Sequence, residues 1–213
     1  MSAKFYGLLF SVLLAIALPA AAQPADDLES IPTHKNERVF SFSLSTNGLA
    51  LGGVYRFKLP SYMHLGVSLE FFAIRDDDEF QFYDYYGYPY KINDRNRMFA
   101  IPLNIELKKR LFTNDIEDDF RPHLLVQSGV MYAMNFPREQ NIFVDGRFET
   151  IQLDNEYRLT YNLLAGFGVD FTTRSNYFAT IRPQYRYTFF TKEIAGKKDH
   201  STFEIKFEIG AQF

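Results

Sequence analysis

Histidine, serine and carboxylate side chains could carry hydrolytic chemistry if the fold brought them together, because a nucleophile needs an adjacent base and a group that orients that base. The chain contains four histidines, at His34, His64, His123 and His200. They lie far apart in the sequence, and His123 and Ser128 are too widely spaced along one predicted strand to form a pair. We find no His–carboxylate constellation, and we predict a protein without catalytic residues, cofactor or metal ion.

The most distinctive stretch lies between residues 75 and 96, where carboxylates and tyrosines cluster. Clustered carboxylates suit Ca²⁺, and tyrosine offers a large amphipathic contact area at low entropic cost. The spacing is not that of an EF-hand, a solvated acidic loop is commoner, and the tyrosines could equally pack on one another. As a possible contact surface the segment offers Asp76, Asp77, Asp78, Tyr83, Tyr85, Tyr86, Tyr88 and Tyr90.

The composition excludes several classes of protein. The absence of cysteine rules out disulfides and a lipid-modified cysteine at a cleavage site. A formal net charge of −3 argues against a nucleic-acid partner. Beyond the N-terminal region there is no uncharged apolar stretch of about 18 residues, so helical membrane spans are excluded. What stands out instead is an aromatic content of 17%, with 23 Phe and 14 Tyr.

The first 22 residues have the features of a secretory signal peptide. Lys4 precedes an apolar stretch over residues 7–18, and small residues follow at positions 20–22. A membrane anchor is the alternative, although the stretch is shorter than the about 20 residues that a span needs. We predict cleavage before Gln23, a flexible periplasmic lead-in over residues 23–37, and one domain over residues 38–213.

Strict alternation of apolar and polar residues dominates that domain and is clearest at its end. Apolar residues from Phe203 to Phe213 occupy every second position, and Glu204, Lys206 and Glu208 lie between them. This is the period of a strand with one apolar face. The same pattern predicts eight strands, near residues 40–45, 51–58, 65–71, 99–108, 123–134, 157–171, 177–190 and 201–213.

The connections between these strands test the count. In an eight-stranded membrane barrel the long loops share one end, and the longest segments here, 75–96 and 135–156, meet that condition. A secreted lipocalin-like barrel also alternates, but with its apolar face inward. We favour a transmembrane barrel, because the polar face is rich in small residues and because aromatics lie towards the strand ends, where membrane girdles form.

The alternating segments and the final strand resemble the small outer-membrane β-barrel proteins of Gram-negative bacteria, the OmpA/OmpX-like group. The resemblance covers about residues 38 to 213, and its most specific part is the end of the last strand, formed by Phe207, Ile209, Ala211 and Phe213. Ala211 is smaller than the residue usual there. The resemblance implies location in the bacterial outer membrane, contact with its lipid, and recognition by the barrel-assembly machinery and periplasmic chaperones.

Charges on the polar face would lie inside such a barrel, where an unpaired charge is costly. The predicted pairs are Arg186 opposite Glu204 and Arg182 opposite Glu208, with Lys206 opposite Gln184, and a second cluster of Arg56, Glu70 and Glu106. A shift of two residues would preserve the faces but change these partners. Pro102 and Pro183 lack the N–H of a sheet ladder, so we expect a bulge or local irregularity at each.

An eight-stranded barrel is narrow enough for side chains to fill it, so we expect no wide pore. We predict an integral membrane barrel with a structural or surface-interaction role. A narrow channel or carrier for small or hydrophobic molecules is one alternative, and a lipid-modifying barrel enzyme is another. The apolar residues predicted on the lumen side, which favour the carrier, are Phe72, Ile74, Leu125, Leu164 and Phe178.

Overall fold

The computed structural model describes residues 35–75, 80–83, 85–87, 89–92, 96–113, 119–137, 140–144, 147–151, 153–172 and 176–213. The strands are β1 (Glu37–Ser45), β2 (Gly48–Leu59), β3 (Met63–Ile74), β4 (Phe80–Tyr83), β5 (Pro89–Ile92), β6 (Met98–Arg110), β7 (Phe120–Asn135), β8 (Gln140–Val144), β9 (Arg147–Ile151), β10 (Glu156–Thr172), β11 (Tyr177–Ile194), β12 (Lys197–Asp199) and β13 (Thr202–Gln212). Within these ranges no helix is long and apolar enough to cross a membrane. The predicted signal peptide and most of the lead-in lie outside them.

Eight of the described strands close into a single antiparallel barrel. The order is β10, β7, β6, β3, β2, β1, β13 and β11, and β11 pairs back with β10. The first and last barrel strands meet at the seam, where Phe42 lies opposite Phe207. All eight correspond to strands predicted from alternation, so the predicted eight-stranded up-and-down barrel is confirmed.

The two longest connections lie at the same end of the barrel, as predicted. At one end β2 and β3 join through a tight turn in which Ser61 and Tyr62 both have left-handed backbone, with φ of 61° and 56°. The opposite end carries the long connections, which contain the hairpins β4–β5 and β8–β9, and β12, which pairs with the end of β11. We call these the periplasmic and outer ends.

The outer face of the barrel wall is apolar, and its inner face carries buried charged side chains. Leu159 and Ile209 are each 68% exposed on the outer face, whereas Arg56, Arg182 and Lys206 are fully buried within it. A belt of exposed apolar side chains on this scale requires lipid as its surroundings. The lipocalin-like alternative, which needs the apolar face inside, is therefore wrong, and the chain is a transmembrane barrel.

The start of the barrel lies earlier than predicted. β1 begins at Glu37, whose side chain is buried in the lumen. Before it, the Lys35 carbonyl accepts a hydrogen bond from His64 Nε2 at 3.1 Å, and Lys35 Nζ donates to Asn176 Oδ1 at 3.3 Å. Residues 35–37 thus belong to the barrel and not to a flexible lead-in. This boundary has no local sign in the sequence, because lumen-facing residues are as polar as those of a flexible segment.

The two prolines cause local gaps in the ladder without a bulge. Pro102 pairs with Met131 and Pro183 with Ile205 in unbroken register. On the opposite side of each strand, pairing stops beside the proline and resumes in the same register. The missing N–H donor of each proline explains the gap, because the strand keeps its course while two adjacent residue pairs are lost from the ladder.

Candidate functional site

The lumen contains two layers of different chemistry. We call the first the outer apolar layer, because its residues come from the outer ends of five barrel strands: Ala50, Phe72, Met98, Ala100, Met131, Ala133, Phe190 and Ile194. Below it lies what we call the central ion-pair network, formed by Glu37, Glu70, Glu106, Asp170, Glu204 and Glu208 with Arg56, Lys108, Arg182, Arg186 and Lys206. Every member of both layers is buried.

Arg56 is the hub of the periplasmic half of the network. Its Nε donates to Glu106, and its Nη1 donates to Glu37 at 3.1 Å. Its Nη2 donates to both oxygens of Glu208, at 3.0 and 2.9 Å. One guanidinium therefore holds three carboxylates, which is possible because its five N–H donors form a planar fork. The predicted proximity of Arg56 and Glu106 is present in the structure.

The periplasmic half also contains a histidine–carboxylate pair that sequence reasoning missed. His123 Nδ1 lies 3.3 Å from Asp170 Oδ1, which also accepts a hydrogen bond from Thr180 Oγ1 at 2.6 Å. Lys108 Nζ lies 2.6 Å from Asp170 Oδ2. Our expectation that no such constellation exists is therefore wrong. The pairing of β7 with β10, which places His123 opposite Gly168, brings the two residues together and is invisible in sequence spacing.

This pair is not arranged for attack on a lipid. His123 and Asp170 are buried inside the lumen, at 0% and 4% exposure, whereas lipid lies outside the wall. A general base must lie within reach of the proton that it removes. His123 Nε2 instead faces a cation, Nη1 of Arg182, at 3.5 Å. Among the residues that the structure describes, the pair therefore extends the central ion-pair network.

Arg186 is the hub of the half of the network nearer the outer end. Its Nη2 donates to Glu70 Oε2 at 2.6 Å, and its Nε donates to Glu204 Oε1 at 2.6 Å. Lys206 also bonds Glu70. The guanidinium carbon of Arg186 lies 4.8 Å from the ring centre of Phe72, which is a cation–π distance. Arg186 therefore joins the network to the outer apolar layer.

The predicted register of the last hairpin is wrong by two residues. Arg186 lies opposite Thr202, and Arg182 lies opposite Lys206. The structure nevertheless brings Arg186 to Glu204 and Arg182 to Glu208, as diagonal contacts. A shift of two residues keeps every side chain on its own face, and arginine is long enough to reach a diagonal neighbour.

The predicted second cluster divides between the two halves of the network. Arg56 and Glu106 are bonded to each other, but Glu70 bonds Arg186 and Lys206 instead. Arg186 lies on β11, which is not adjacent to β3 in the wall. Glu70 therefore reaches its partner across the lumen, and contacts of that kind leave no local signal in the sequence.

The lumen-side apolar residues that favour a carrier are packed. Phe72, Leu125, Leu164 and Phe178 are each at most 2% exposed, and Ile74 is partly buried against the outer apolar layer. Lys108 Nζ lies 5.2 Å from the ring centre of Phe178. In the part of the chain that the structure describes, these side chains fill the interior and form no apolar tunnel.

The end of β13 presents its apolar residues to lipid. Phe207, Ile209 and Phe213 are exposed on the outer face, while Ala211 is half-buried. The ring centre of Phe213 lies 4.3 Å from the guanidinium carbon of Arg38. The geometry suits a strand that closes the barrel against β1, and its recognition by the assembly machinery stays a prediction.

The predicted contact surface is only partly described. Tyr83, Tyr85 and Tyr86 are 68%, 97% and 80% exposed at the β4–β5 hairpin. The rings of Tyr85 and Tyr86 meet edge to face, with centres 5.6 Å apart. Asp76, Asp77, Asp78 and Tyr88, and the side chain of Tyr90, lie outside the described residues. Among the residues that are described, no group of three His, Asp or Glu could hold a metal ion.

Comparison with known proteins gives a general likeness of fold. No family model and no curated protein sequence matches the chain.

Neisserial surface protein A is 10% identical, with a TM-score of 0.48 over 84% of this chain and 95% of that one. The N-terminal β-barrel domain of OprF from Pseudomonas aeruginosa is 12% identical, with a TM-score of 0.44 over 84% and 98% of the two chains. The outer membrane protein Ail of Yersinia pestis is 13% identical, with a TM-score of 0.43 over 84% and 99%. Likenesses of this size say nothing about function.

Proposed function

We propose that the protein is an outer-membrane anchor, whose filled barrel holds the outer loops at the cell surface for contact with external partners. The observation that carries this proposal is a lumen packed with paired charges and apolar side chains inside a wall that is apolar towards lipid. Closed barrels with this inside-out pattern are the outer-membrane type. A predicted signal peptide supports export to that membrane.

The loops are the part of the anchor available for contact. Tyr85, at 97% exposure, and its neighbour Tyr86 lie at the tip of the β4–β5 hairpin. Exposed tyrosines give contact area with two rotatable bonds each, so little entropy is lost on binding. Binding residues are commonly found on loops that a rigid scaffold positions.

Heat-modifiability in an outer-membrane fraction tests the anchor. We expect a compact species that migrates faster on a cold gel until the sample is boiled, because a closed barrel resists detergent. An epitope inserted after Gly87 should be detected on intact cells, whereas one inserted after Ser61 should be detected only after permeabilisation. Recovery of the protein in the soluble periplasmic fraction would contradict the proposal.

Solute flux distinguishes an anchor from a channel. Vesicles that contain the folded protein should swell in small sugars no faster than empty vesicles, since the described lumen is filled. Swelling that is clearly faster would favour the narrow channel instead.

A further inference from the structure

The barrel wall divides at its outer end, between β10 and β11. The ladder that joins these two strands ends where Asn162 lies opposite Thr188, although both strands continue beyond that level. Above it β10 stays paired with β7, and β11 stays paired with β12. Residues 156–161 and 189–194 therefore follow each other in register but form no backbone ladder.

The β11–β12 hairpin, residues 189–199, also lacks a ladder partner on its other flank within the described part of the chain. There β1 ends opposite Glu204 and turns back into β2. The hydroxyls of Thr46 and Thr202, which lie 2.8 Å apart, join the strands at this level. Above it the two strands of the hairpin pair only with each other. A lone two-stranded hairpin is marginally stable, so side-chain contacts must hold it in place.

Two side chains of β10 bridge the split in the wall. Thr160 Oγ1 donates to the Phe189 carbonyl at 2.7 Å. Arg158 Nε donates to the Glu193 carbonyl at 3.3 Å, and its Nη1 donates to the Tyr157 carbonyl at 2.9 Å. In a continued register Tyr157 would lie opposite Glu193, so the Arg158 guanidinium bonds two carbonyls that a ladder would have used. Side-chain hydrogen bonds thus replace the ladder between the two edges.

The underside of the hairpin closes the outer mouth of the lumen. Phe190 and Ile194 are 1% and 0% exposed, and both belong to the outer apolar layer. Beside them the backbone N–H of Ala195 donates to Glu156 Oε2 at 2.7 Å. His200 Nε2 donates to the Ile194 carbonyl at 3.1 Å, and its ring meets Phe190 edge to face. The hairpin is therefore a preformed unit that inserts two apolar side chains into the layer below.

The split begins where the membrane-spanning part of β10 can end. From Asn162 to Thr172, where β10 is paired with β11, the strand has the length of about 9–11 residues that a membrane strand needs. Within lipid an unpaired backbone group is costly, because no water is present to bond it. Beyond Asn162 water can bond these groups, so the hairpin can move away from β10 without leaving them unsatisfied.

We propose that the β11–β12 hairpin is a hinged cover on the lumen. It turns about Thr188 and lifts Phe190 and Ile194 out of the outer apolar layer, while the eight-stranded wall below stays closed. Thr160 and Arg158 form the latch of this cover. Segments with few ladder contacts open at a lower free energy than the rest of a protein. An anchor needs no such movement, so the cover is a separate property of the barrel.

Labelling of single cysteines in the folded protein in micelles tests the cover, because the chain has no cysteine of its own. A water-soluble methanethiosulfonate should reach Ala133→Cys, in the outer apolar layer, only while the cover is open. Tyr85→Cys, at a position that is 97% exposed, gives the unprotected rate. The ratio of the two rates should indicate an open fraction of about 0.1–10%, the usual range for a minor conformation. Leu164→Cys, buried opposite Arg186 below the layer, should stay unlabelled over the same time.

Matched substitutions in the Ala133→Cys background test the latch. Thr160→Val removes the latch hydroxyl and should raise the labelling rate about three- to tenfold, the equivalent of one hydrogen bond. Thr188→Val should change it less than about twofold, because this buried hydroxyl has no hydrogen-bond partner among the described residues. Arg158→Gln should act like Thr160→Val, whereas Lys192→Gln, at an exposed position of the same hairpin, should leave the rate unchanged. Heat-modifiability shows that each variant is folded, and that readout tests the anchor separately.

Three results would overturn the cover. Absence of labelling at Ala133→Cys would show that the hairpin does not open. Labelling of Ala133→Cys and Leu164→Cys at the same rate would show that the whole barrel opens instead. Equal rates for Thr160→Val and Thr188→Val would show that the side chains of β10 are not a latch.

Discussion

The outer apolar layer and the central ion-pair network share one barrel wall and the same depth of burial, but they are filled by opposite chemistries. Glu70 and Phe72 illustrate the contrast, because they lie two residues apart on β3, both face inward and both are 2% exposed. Glu70 is held by charged partners, whereas Phe72 is held by packed apolar neighbours. Buried side chains inside this barrel can therefore be either charged or apolar. Ion pairs stabilise the charged ones, and close packing stabilises the apolar ones.

Mutations should destabilise the two layers through different physical effects. A buried ion pair gains stability only while both partners are present, because the survivor of a broken pair is an uncompensated charge. An apolar layer fails through loss of volume, since neighbouring side chains relax only partly into a cavity. Mutations in the network should therefore be costlier than mutations in the layer.

Replacement of Arg56 by methionine should have the largest effect. The change removes the hub of three carboxylates, Glu37, Glu106 and Glu208. We expect the free energy of unfolding to fall by about 3–5 kcal/mol, measured by urea unfolding in lipid vesicles and followed by circular dichroism. Lys192→Met, at an exposed position on β11, is the control and should change it by less than about 0.5 kcal/mol. A loss below about 1 kcal/mol for Arg56→Met would contradict the role of the hub.

For Arg56 and Glu70, the sequence predicts the face of the strand on which each residue lies more reliably than it predicts their partners. Alternation with period two assigned both to the lumen, because a strand with one apolar face leaves no other place for them. Their partners could not be assigned with the same certainty, since a two-residue shift of a strand keeps the faces and changes the neighbours. Glu70 additionally meets Arg186 across the lumen, and that contact depends on the closure of the whole barrel.

The candidate site was less predictable than the fold for the same physical reason. The pair of His123 and Asp170 depends on the register between β7 and β10, which is not a property of one strand. The start of β1 is equally hard to predict, because a lone polar residue such as Glu37 looks the same in a loop and in a lumen.

Two adjacent phenylalanines test the outer apolar layer. Phe190 is 1% exposed within the layer, while Phe189 is 48% exposed on the lipid face. Phe190→Ala should lower the free energy of unfolding by about 3 kcal/mol, because it leaves a cavity. Phe189→Ala should cost about 1 kcal/mol, since lipid can fill the space that is lost. The same urea titration measures both, and equal costs would show that the layer is not tightly packed.

Two adjacent glycines on β2 test the boundary between the layers. A Cβ on Gly52 would lie 2.7 Å from Glu70 Cγ and 2.7 Å from the Leu69 carbonyl oxygen. A Cβ on Gly53 would meet nothing closer than the Val39 carbonyl oxygen, at 3.7 Å. Gly52→Ala should therefore destabilise the barrel by about 2 kcal/mol through overpacking, whereas Gly53→Ala should be neutral or slightly stabilising. Unfolding midpoints in urea would show a reversed order if Gly52 faced lipid.

The smallest effect is expected outside the membrane, in the hairpin that covers the outer apolar layer. Asp199 is exposed, and hydrogen bonds from Ser201 lower its pKa below the usual 3.8. Because the folded pKa is lower than the unfolded one, the stabilisation is complete above the unfolded value and is lost as the pH falls through the folded value.

Asp199→Asn should therefore cost less than about 0.5 kcal/mol at neutral pH. NMR titration of the carboxyl carbon should give a midpoint below 3.8. A midpoint at or above that value would mean that Ser201 does not hold the carboxylate. If the midpoint is low, the hairpin over the outer apolar layer keeps this contact throughout the neutral range.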